Sequence, residues 1–194
     1  MKLFGVVAVL AAGTGALAAD GVRTRKEVVT ASLSSGPNGS MMYRGQATAA
    51  QILKSAGIRL EWHRDERTCA EGNGIVVTVS LETPLNRHPG ALAFALPFDR
   101  ARVVLFYDRV LSTAGPAVAP SLLGHVLAHE IVHILQGVNV HAASGIMKPR
   151  WDKRDYDAMQ RAPLPFTQED LSLIDRGLEW RACHGDQVQM TVRV

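Results

Sequence analysis

Hydrophobic residues in the first half of the chain follow first a helical and then a strand-like pattern. Apolar residues recur at helical spacing over residues 47–56, and Gly57 is suited to end a helix there. Short runs rich in β-branched and aromatic residues then predict strands over residues 58–62, 75–80, 91–96 and 102–107. A short connection separates the last two runs, which suits a hairpin. The front half therefore predicts a helix and a small mixed sheet of about four strands.

The second half is dominated by one strongly apolar helical pattern over residues 120–136. Apolar residues cover much of its circumference, so we expect a buried helix, and Gly137 is placed to end it. Residues 138–164 show little periodicity, and Thr167 with Asp170 then forms a capping box that opens a last helix. The pattern predicts an α+β fold, with a small twisted sheet over the buried helix, an irregular segment and a C-terminal helix.

The N-terminus has the pattern of a secretory signal peptide. Met1 and Lys2 precede an apolar run over residues 3–17, and Ala16-Leu-Ala18 or Leu17-Ala-Ala19 offers a cleavage site. A membrane anchor is the alternative, but the run contains glycines and is shorter than the roughly 20 apolar residues of a spanning helix. We expect a signal peptide at residues 1–19, no stable membrane insertion after its removal, and a secreted or periplasmic protein. Residues 32–40, rich in Ser and Gly, are expected to be exposed.

The composition is that of one folded domain. Of the 194 residues, 47% are hydrophobic and 20% are charged, so residues 20–194 are predicted to form a single domain and a monomer. The formal net charge is +3, and the basic residues are scattered, which argues against a nucleic-acid partner. Cys69 and Cys183 are the two cysteines. Because neither belongs to a CxxC pair, they predict a disulfide in an exported protein rather than a metal site.

The predicted buried helix contains the HExxH motif, with His129, Glu130 and His133 at its chemically active positions. Residues four apart project from one face of a helix, so both imidazoles can reach one ion at about 2.0 Å. Glu130 is then placed to act as the general base on a water molecule that the metal activates. Three polar residues among Leu, Ile and Val side chains would carry a burial cost without such a partner. The motif predicts a site for one catalytic Zn²⁺.

His125 lies one further turn back on the same helical face. Three successive histidines along a helix exceed the reach of a single ion. We therefore expect His125 to be a core residue or a partner outside the ligand shell.

A third ligand is expected downstream, because catalytic zinc usually takes three protein ligands and keeps a fourth position for water. The sequence from His129 to Pro149 resembles the metzincin zinc endopeptidases, in which HExxH is followed by a helix-ending Gly, a third His and a Met-containing turn. Within that family, the spacing of Met147, fourteen positions after His133, is most similar to the matrixin type. The resemblance implies a zincin-like fold, with Met147 packed beneath the metal without binding it.

The spacing departs from the metzincin pattern HExxHxxGxxH. Gly137 and His141 follow His133 by four and eight residues, where the family has three and six, and Asn139 holds the sixth position. One added helical residue rotates the exit of the chain by about 100°, so the loop must be remodelled. We name His141 as the third ligand, because a neutral amide such as that of Asn139 is a poor zinc ligand beside an imidazole.

Residues 90–97 resemble the edge strand along which metzincins hold an extended substrate. The resemblance implies that Ala93, Phe94 and Ala95 bind substrate, which is a physically sound way to hold a peptide. An ordinary edge or core strand is the alternative interpretation. Tyr156 could stabilise developing negative charge, but a lone Tyr between two aspartates is more typical of a surface, so we assign it no catalytic role.

These features together predict a secreted zinc metalloendopeptidase that hydrolyses peptide bonds in a peptide or protein substrate. A catalytically silent zinc-binding module on a peptidase scaffold is the alternative, and the presence of Glu130 favours the enzyme. A different class of zinc hydrolase would take its last ligand from a downstream carboxylate, with three candidates: Asp152, Asp155 and Asp157.

Overall fold

A computed structural model of the protein describes residues 27–34, 37, 39–64, 74–84, 89–96 and 102–184. The described residues form five strands: β1 (Glu27–Ser34), β2 (Ile58–His63), β3 (Ile75–Ser80), β4 (Ala93–Ala95) and β5 (Arg102–Phe106). They also form five helices: α1 (Ser40–Ser55), α2 (Tyr107–Thr113), α3 (Ala119–Gln136), α4 (Lys153–Met159) and α5 (Gln168–His184). The predicted signal peptide lies outside the described residues.

The strands form one mixed sheet in the order β2-β1-β3-β5-β4. Strands β2, β1, β3 and β5 run parallel, and β4 pairs antiparallel with β5 so that Phe94 lies opposite Val104. Residues 97–101, the predicted hairpin connection, lie outside the described residues, but the antiparallel pairing is the one that the hairpin requires. Among the described strands, β4 is therefore the edge next to β5. The predicted α+β fold is confirmed.

The prediction that residues 32–40 are exposed is wrong at its start. Ser32 belongs to β1 and is fully buried, and β1 pairs with β2 on one side and with β3 on the other. The alternating positions Val29, Ala31 and Leu33 are typical of a strand, but serine and threonine residues between them hide the pattern. Helix α1 also begins at Ser40, seven residues before the predicted start.

Helix α3 carries the HExxH motif through the core. It is buried along nearly its whole length, and it ends where the sequence predicts, at Gly137 in the left-handed conformation with φ of 69°. Helix α1 packs closely against α3 because two glycines let the backbones approach. A Cβ on Gly45 would overlap Leu123, and one on Gly124 would overlap Thr48. The helix that bears the motif is thereby fixed between α1 and the sheet.

The segment after α3 is more regular than the sequence pattern indicates. The carboxylate of Asp152 accepts from the backbone N–H groups of Arg154 and Asp155, and Asp155 accepts from that of Asp152. This capping box starts α4, a short helix that the periodicity does not reveal. Helix α2 likewise follows β5 directly, so the strand predicted to reach Tyr107 ends at Phe106.

No helix among the described residues is long and apolar enough to span a membrane. Cys183, in the last turn of α5, is exposed and bonds to no other cysteine among the described residues. Cys69 lies outside the described residues, so the disulfide between these cysteines stays a prediction.

Candidate metal centre

The imidazoles of His129, His133 and His141 converge on one point beside α3. The Nε2 atom of His133 lies 3.0 Å from that of His129 and 3.3 Å from that of His141. The ligand atoms of all three lie within 4.8 Å of one another. Nitrogens that bind one tetrahedral zinc ion at about 2.0–2.1 Å are themselves about 3.3 Å apart. The three imidazoles are therefore placed to hold a single metal ion.

Hydrogen bonds at the other ring nitrogen assign the proton in two of these imidazoles. His129 Nδ1 lies 2.8 Å from the carbonyl oxygen of Ile146, and His133 Nδ1 lies 3.2 Å from that of Val138. A carbonyl oxygen only accepts, so each Nδ1 carries the proton and donates it. The two Nε2 atoms then face each other with lone pairs and no proton between them. A bound cation satisfies both lone pairs, so the donor set fits a metal ion.

Burial keeps these imidazoles neutral. It lowers the pKa of His129 from 6.5 to about 4. It lowers the pKa of His133 to about 3, with a further contribution from the two neighbouring imidazoles. The pKa of the more exposed His141 is also lowered by burial. Because the neutral imidazole is the form that binds a metal, protons compete only weakly for this site near neutral pH.

The metal-free protein is expected to lose stability as the pH falls from about 6.5 to about 4. Over this range the unfolded chain protonates His129 and His133, whereas the folded chain does not, so acid favours unfolding. The effect of Glu130 on stability has the opposite sign. Because its pKa is raised in the folded protein, its contribution to the free energy of unfolding is present at low pH and is lost as the pH rises toward about 7. The two imidazoles together change the free energy of unfolding more than the single carboxyl group does, so the net effect of acid is destabilising. Thermal unfolding in chelator across this pH range checks the sign, and a melting temperature that rises on acidification would contradict it.

His141 reaches the site from the loop that follows α3. The left-handed Gly137 ends the helix and turns the chain, and the backbone N–H of Ala142 donates to the carbonyl oxygen of Met147 at 2.9 Å, which closes the loop. The longer spacing to the third histidine is thus accommodated by a loop with its own hydrogen bond. Met147 is fully buried, as expected for a residue that packs in this turn rather than facing solvent.

Glu130 lies buried on α3 beside this cluster. Burial raises the pKa of its carboxyl group from 4.5 to about 7, and a hydrogen bond from the backbone N–H of Ala95 offsets part of that rise. The bond ties the carboxyl group to β4. A carboxyl group whose pKa lies close to neutral, next to three side chains that could hold a metal ion, is a candidate for a general base.

The site opens into a cleft of about 950 Å³, and β4 forms part of its wall. The carbonyl oxygen of Leu92 and the N–H of Leu96 bond to β5 at 2.9 and 3.1 Å. Because the direction of backbone groups alternates along a strand, those of Ala93 and Ala95 face away from β5. The structure therefore brings the strand segment Ala93, Phe94 and Ala95 to the same cleft as the histidines.

Three residues that carry no sequence motif also line the cleft: Lys148, Trp151 and Tyr156. The indole of Trp151 meets the imidazole of His129 edge-on, with ring centroids 5.5 Å apart. Tyr156, interpreted from the sequence as a surface residue, is half-buried at the cleft, and burial raises the pKa of its phenol. The capping box of Asp152 and Asp155 is the sequence signal that would have placed this tyrosine on a helix.

The aspartates that could have supplied a carboxylate ligand are bound elsewhere. Lys148 Nζ lies 2.9 Å from Asp152 and 2.6 Å from Asp155, and Lys153 Nζ lies 3.0 Å from Asp157. In the part of the chain that the structure describes, the cluster able to hold a metal contains histidines alone. The geometry favours His141 as the third ligand over any of these carboxylates.

No protein-family model and no curated protein sequence matches the chain. Among solved structures, archaemetzincin from Methanopyrus kandleri is similar, with a TM-score of 0.51 and 14% sequence identity over 81% of this chain and 98% of that chain. Myroilysin has a TM-score of 0.36 and 15% identity over 77% of this chain and 75% of that chain. At 14% identity, the likeness to archaemetzincin shows a shared zincin-like fold.

Proposed function

We propose that this protein is an exported zinc-dependent endopeptidase with Glu130 as its general base. The observation that carries the proposal is the pair of unprotonated Nε2 atoms of His129 and His133, 3.0 Å apart, with a third Nε2 from His141 beside them. Imidazole nitrogen in a three-ligand set with room for water suits zinc better than the hard cations Mg²⁺ and Ca²⁺. We assign one ion to the site.

The chemistry follows from the groups that face the cleft. A zinc ion held there would lower the pKa of a water molecule and polarise the carbonyl group of a peptide bond. Glu130 takes the proton that the water loses as its oxygen attacks the carbonyl carbon. Glu130 then delivers a proton to the amide nitrogen as the C–N bond breaks, which releases one new carboxyl and one new amino terminus. The buried setting of Glu130, with its pKa of about 7, suits both transfers.

Strand β4 supports binding of an extended peptide. The N–H of Ala95 already bonds to Glu130, which leaves the backbone N–H and carbonyl of Ala93 and the carbonyl of Ala95 directed away from β5. A peptide that adds to this edge would bond through its own backbone, largely independent of its sequence. The carbonyl groups of the bound peptide would then lie along β4, close to Glu130. Binding along a strand edge suits endopeptidase action on interior bonds.

Export and the matrixin-type spacing complete the proposal. Both rest on the sequence: the pattern of residues 1–19 and the position of Met147 fourteen places after His133. A catalytically silent zinc-binding module remains the second candidate. The buried Glu130 beside the histidines favours the enzyme, because a module that only binds zinc has no use for a base at that position.

Incubation of the purified protein with a complex peptide mixture is expected to yield new termini inside the peptides, as detected by mass spectrometry. A chelator should stop the cleavage, and added zinc should restore it, because the ion leaves the histidines and returns. An inactive chain to which zinc still binds tightly would support the silent module instead. A chain that binds no zinc would contradict both.

A further inference from the structure

His125 lies one turn before His129 on α3, is fully buried, and has both ring nitrogens bonded. Its Nδ1 atom lies 2.8 Å from the carbonyl oxygen of Ser121, and its Nε2 atom lies 3.0 Å from the backbone nitrogen of Leu164. A carbonyl accepts and an N–H donates, so a single neutral tautomer satisfies both. Its ring is therefore fixed in orientation and holds a distant segment of chain against α3.

That segment contacts the turn that orients a metal ligand. Pro165, the residue after Leu164, accepts a hydrogen bond from the N–H of Ile146 at 3.0 Å. The two segments touch at Gly145, where φ is +75° and a Cβ would overlap the carbonyl oxygen of Pro165. A side chain at position 145 would separate them.

The same turn fixes His129. The carbonyl oxygen of Ile146 accepts the Nδ1–H of His129 at 2.8 Å. The path thus runs from the ring of His125 through the backbone of residues 164–165 to Ile146, and from there back to His129. Trp151 supports it from the side, because its indole nitrogen lies 3.4 Å from the carbonyl oxygen of Gly145.

We propose that His125 is a positioning residue for the metal ligand His129, and that it acts through the hydrogen bonds joining Leu164–Pro165 to Ile146. The inference rests on the proposed metal site and extends it to a residue outside the ligand shell. Without the acceptor at His125, the turn at Ile146 loses its support. The imidazole of His129 is then less strictly held in the orientation that binds a metal. Partners that orient a ligand in this way typically account for about 10–100-fold in metal affinity.

Two variants of His125 separate positioning from simple packing. Glutamine and methionine side chains have nearly the same length, but the amide oxygen accepts a hydrogen bond whereas the thioether sulfur accepts poorly. His125→Gln can therefore keep the bond to Leu164, and His125→Met cannot. Both variants lose the bond to Ser121 and part of the ring packing. Their metal-free melting temperatures are expected to fall by similar amounts.

The measurement is the zinc dissociation constant, by competition with a chromophoric chelator, on fully folded protein. His125→Met is expected to weaken zinc binding about 10–100-fold relative to the wild type. His125→Gln is expected to keep most of the wild-type affinity. Gln136→Met is the matched control, because Gln136 is a buried polar residue on α3 whose amide bonds to Asp170 instead. Should His125→Met not fold, His125→Asn replaces it, since its amide can reach Ser121 but is too short for Leu164.

The proposal is overturned if His125→Met binds zinc like the wild type, or if His125→Gln loses as much affinity as His125→Met. Equal loss in Gln136→Met would overturn it too, since any buried hydrogen bond would then matter alike. These results are independent of hydrolysis. A wild type that binds zinc tightly but cleaves no peptide would contradict the endopeptidase proposal alone.

Discussion

Replacing Glu130 with glutamine is expected to lower kcat/KM for peptide hydrolysis by about 10²–10⁴-fold while zinc stays bound. The amide has the shape of the carboxyl group and can still accept the hydrogen bond from the N–H of Ala95. It cannot take a proton from water, so the transfer that begins the reaction loses its acceptor. Metal analysis and turnover are measured on the same preparation, because the prediction concerns both quantities.

Glu130→Asp is the matched control for that experiment. It keeps a carboxylate and shortens the side chain by one methylene, so it should retain more activity than Glu130→Gln. Unchanged hydrolysis in Glu130→Gln would contradict the role of this residue as the base. If Glu130→Gln lost both zinc and activity, Glu130 would instead be a metal ligand.

The candidate metal site is predictable from the sequence where local geometry determines it. The positions of His129 and His133 follow from helical spacing in a strongly apolar segment, and Gly137 marks the end of that helix. The sequence therefore placed His129, His133 and the adjacent Glu130 on one buried helix, where the structure has them.

Strand β1 and helix α4 are harder to predict, because the hydrophobic pattern of each segment is weak. The strand alternates apolar residues with serine and threonine, which resemble a surface loop, yet its place between two other strands buries Ser32. Helix α4 is too short for periodicity, and its capping box of Asp152 and Asp155 is its clearest signal. In β1, burial between two neighbouring strands overrides the polar local pattern.

The environment of the site depends on contacts between distant residues. Tyr156 faces the cleft because α4 is held in place by its cap and by Lys148. His125 meets Leu164 across 39 positions of sequence. The spacing of residues along the sequence predicts neither contact, since each depends on how the segment after α3 folds back onto that helix. A single sequence locates the candidate ligands more readily than the distant residues that contact them.

Replacing His141 with alanine is expected to weaken zinc binding more than any substitution outside the ligand set, and to abolish hydrolysis. Its Nε2 atom lies 3.3 Å from that of His133, the spacing of two ligands on one ion. The loss should exceed the roughly 10–100-fold typical of an outer partner, because a direct ligand is removed. The dissociation constant for zinc, measured by chelator competition, gives the magnitude.

Asn139→Ala is the matched control, because it changes a residue of the same loop that also lines the cleft. Asn139 holds the position where metzincins have their third histidine, but its neutral amide oxygen is a poor zinc ligand. Most of the zinc affinity should remain in this variant. Alanine at Asp152, Asp155 or Asp157 should likewise leave zinc bound, since these carboxylates bind lysines. If His141→Ala still bound zinc tightly and one of the aspartate variants lost it, the third ligand would be a carboxylate and not His141. The longer loop would then have displaced the third histidine from the metal instead of carrying it there.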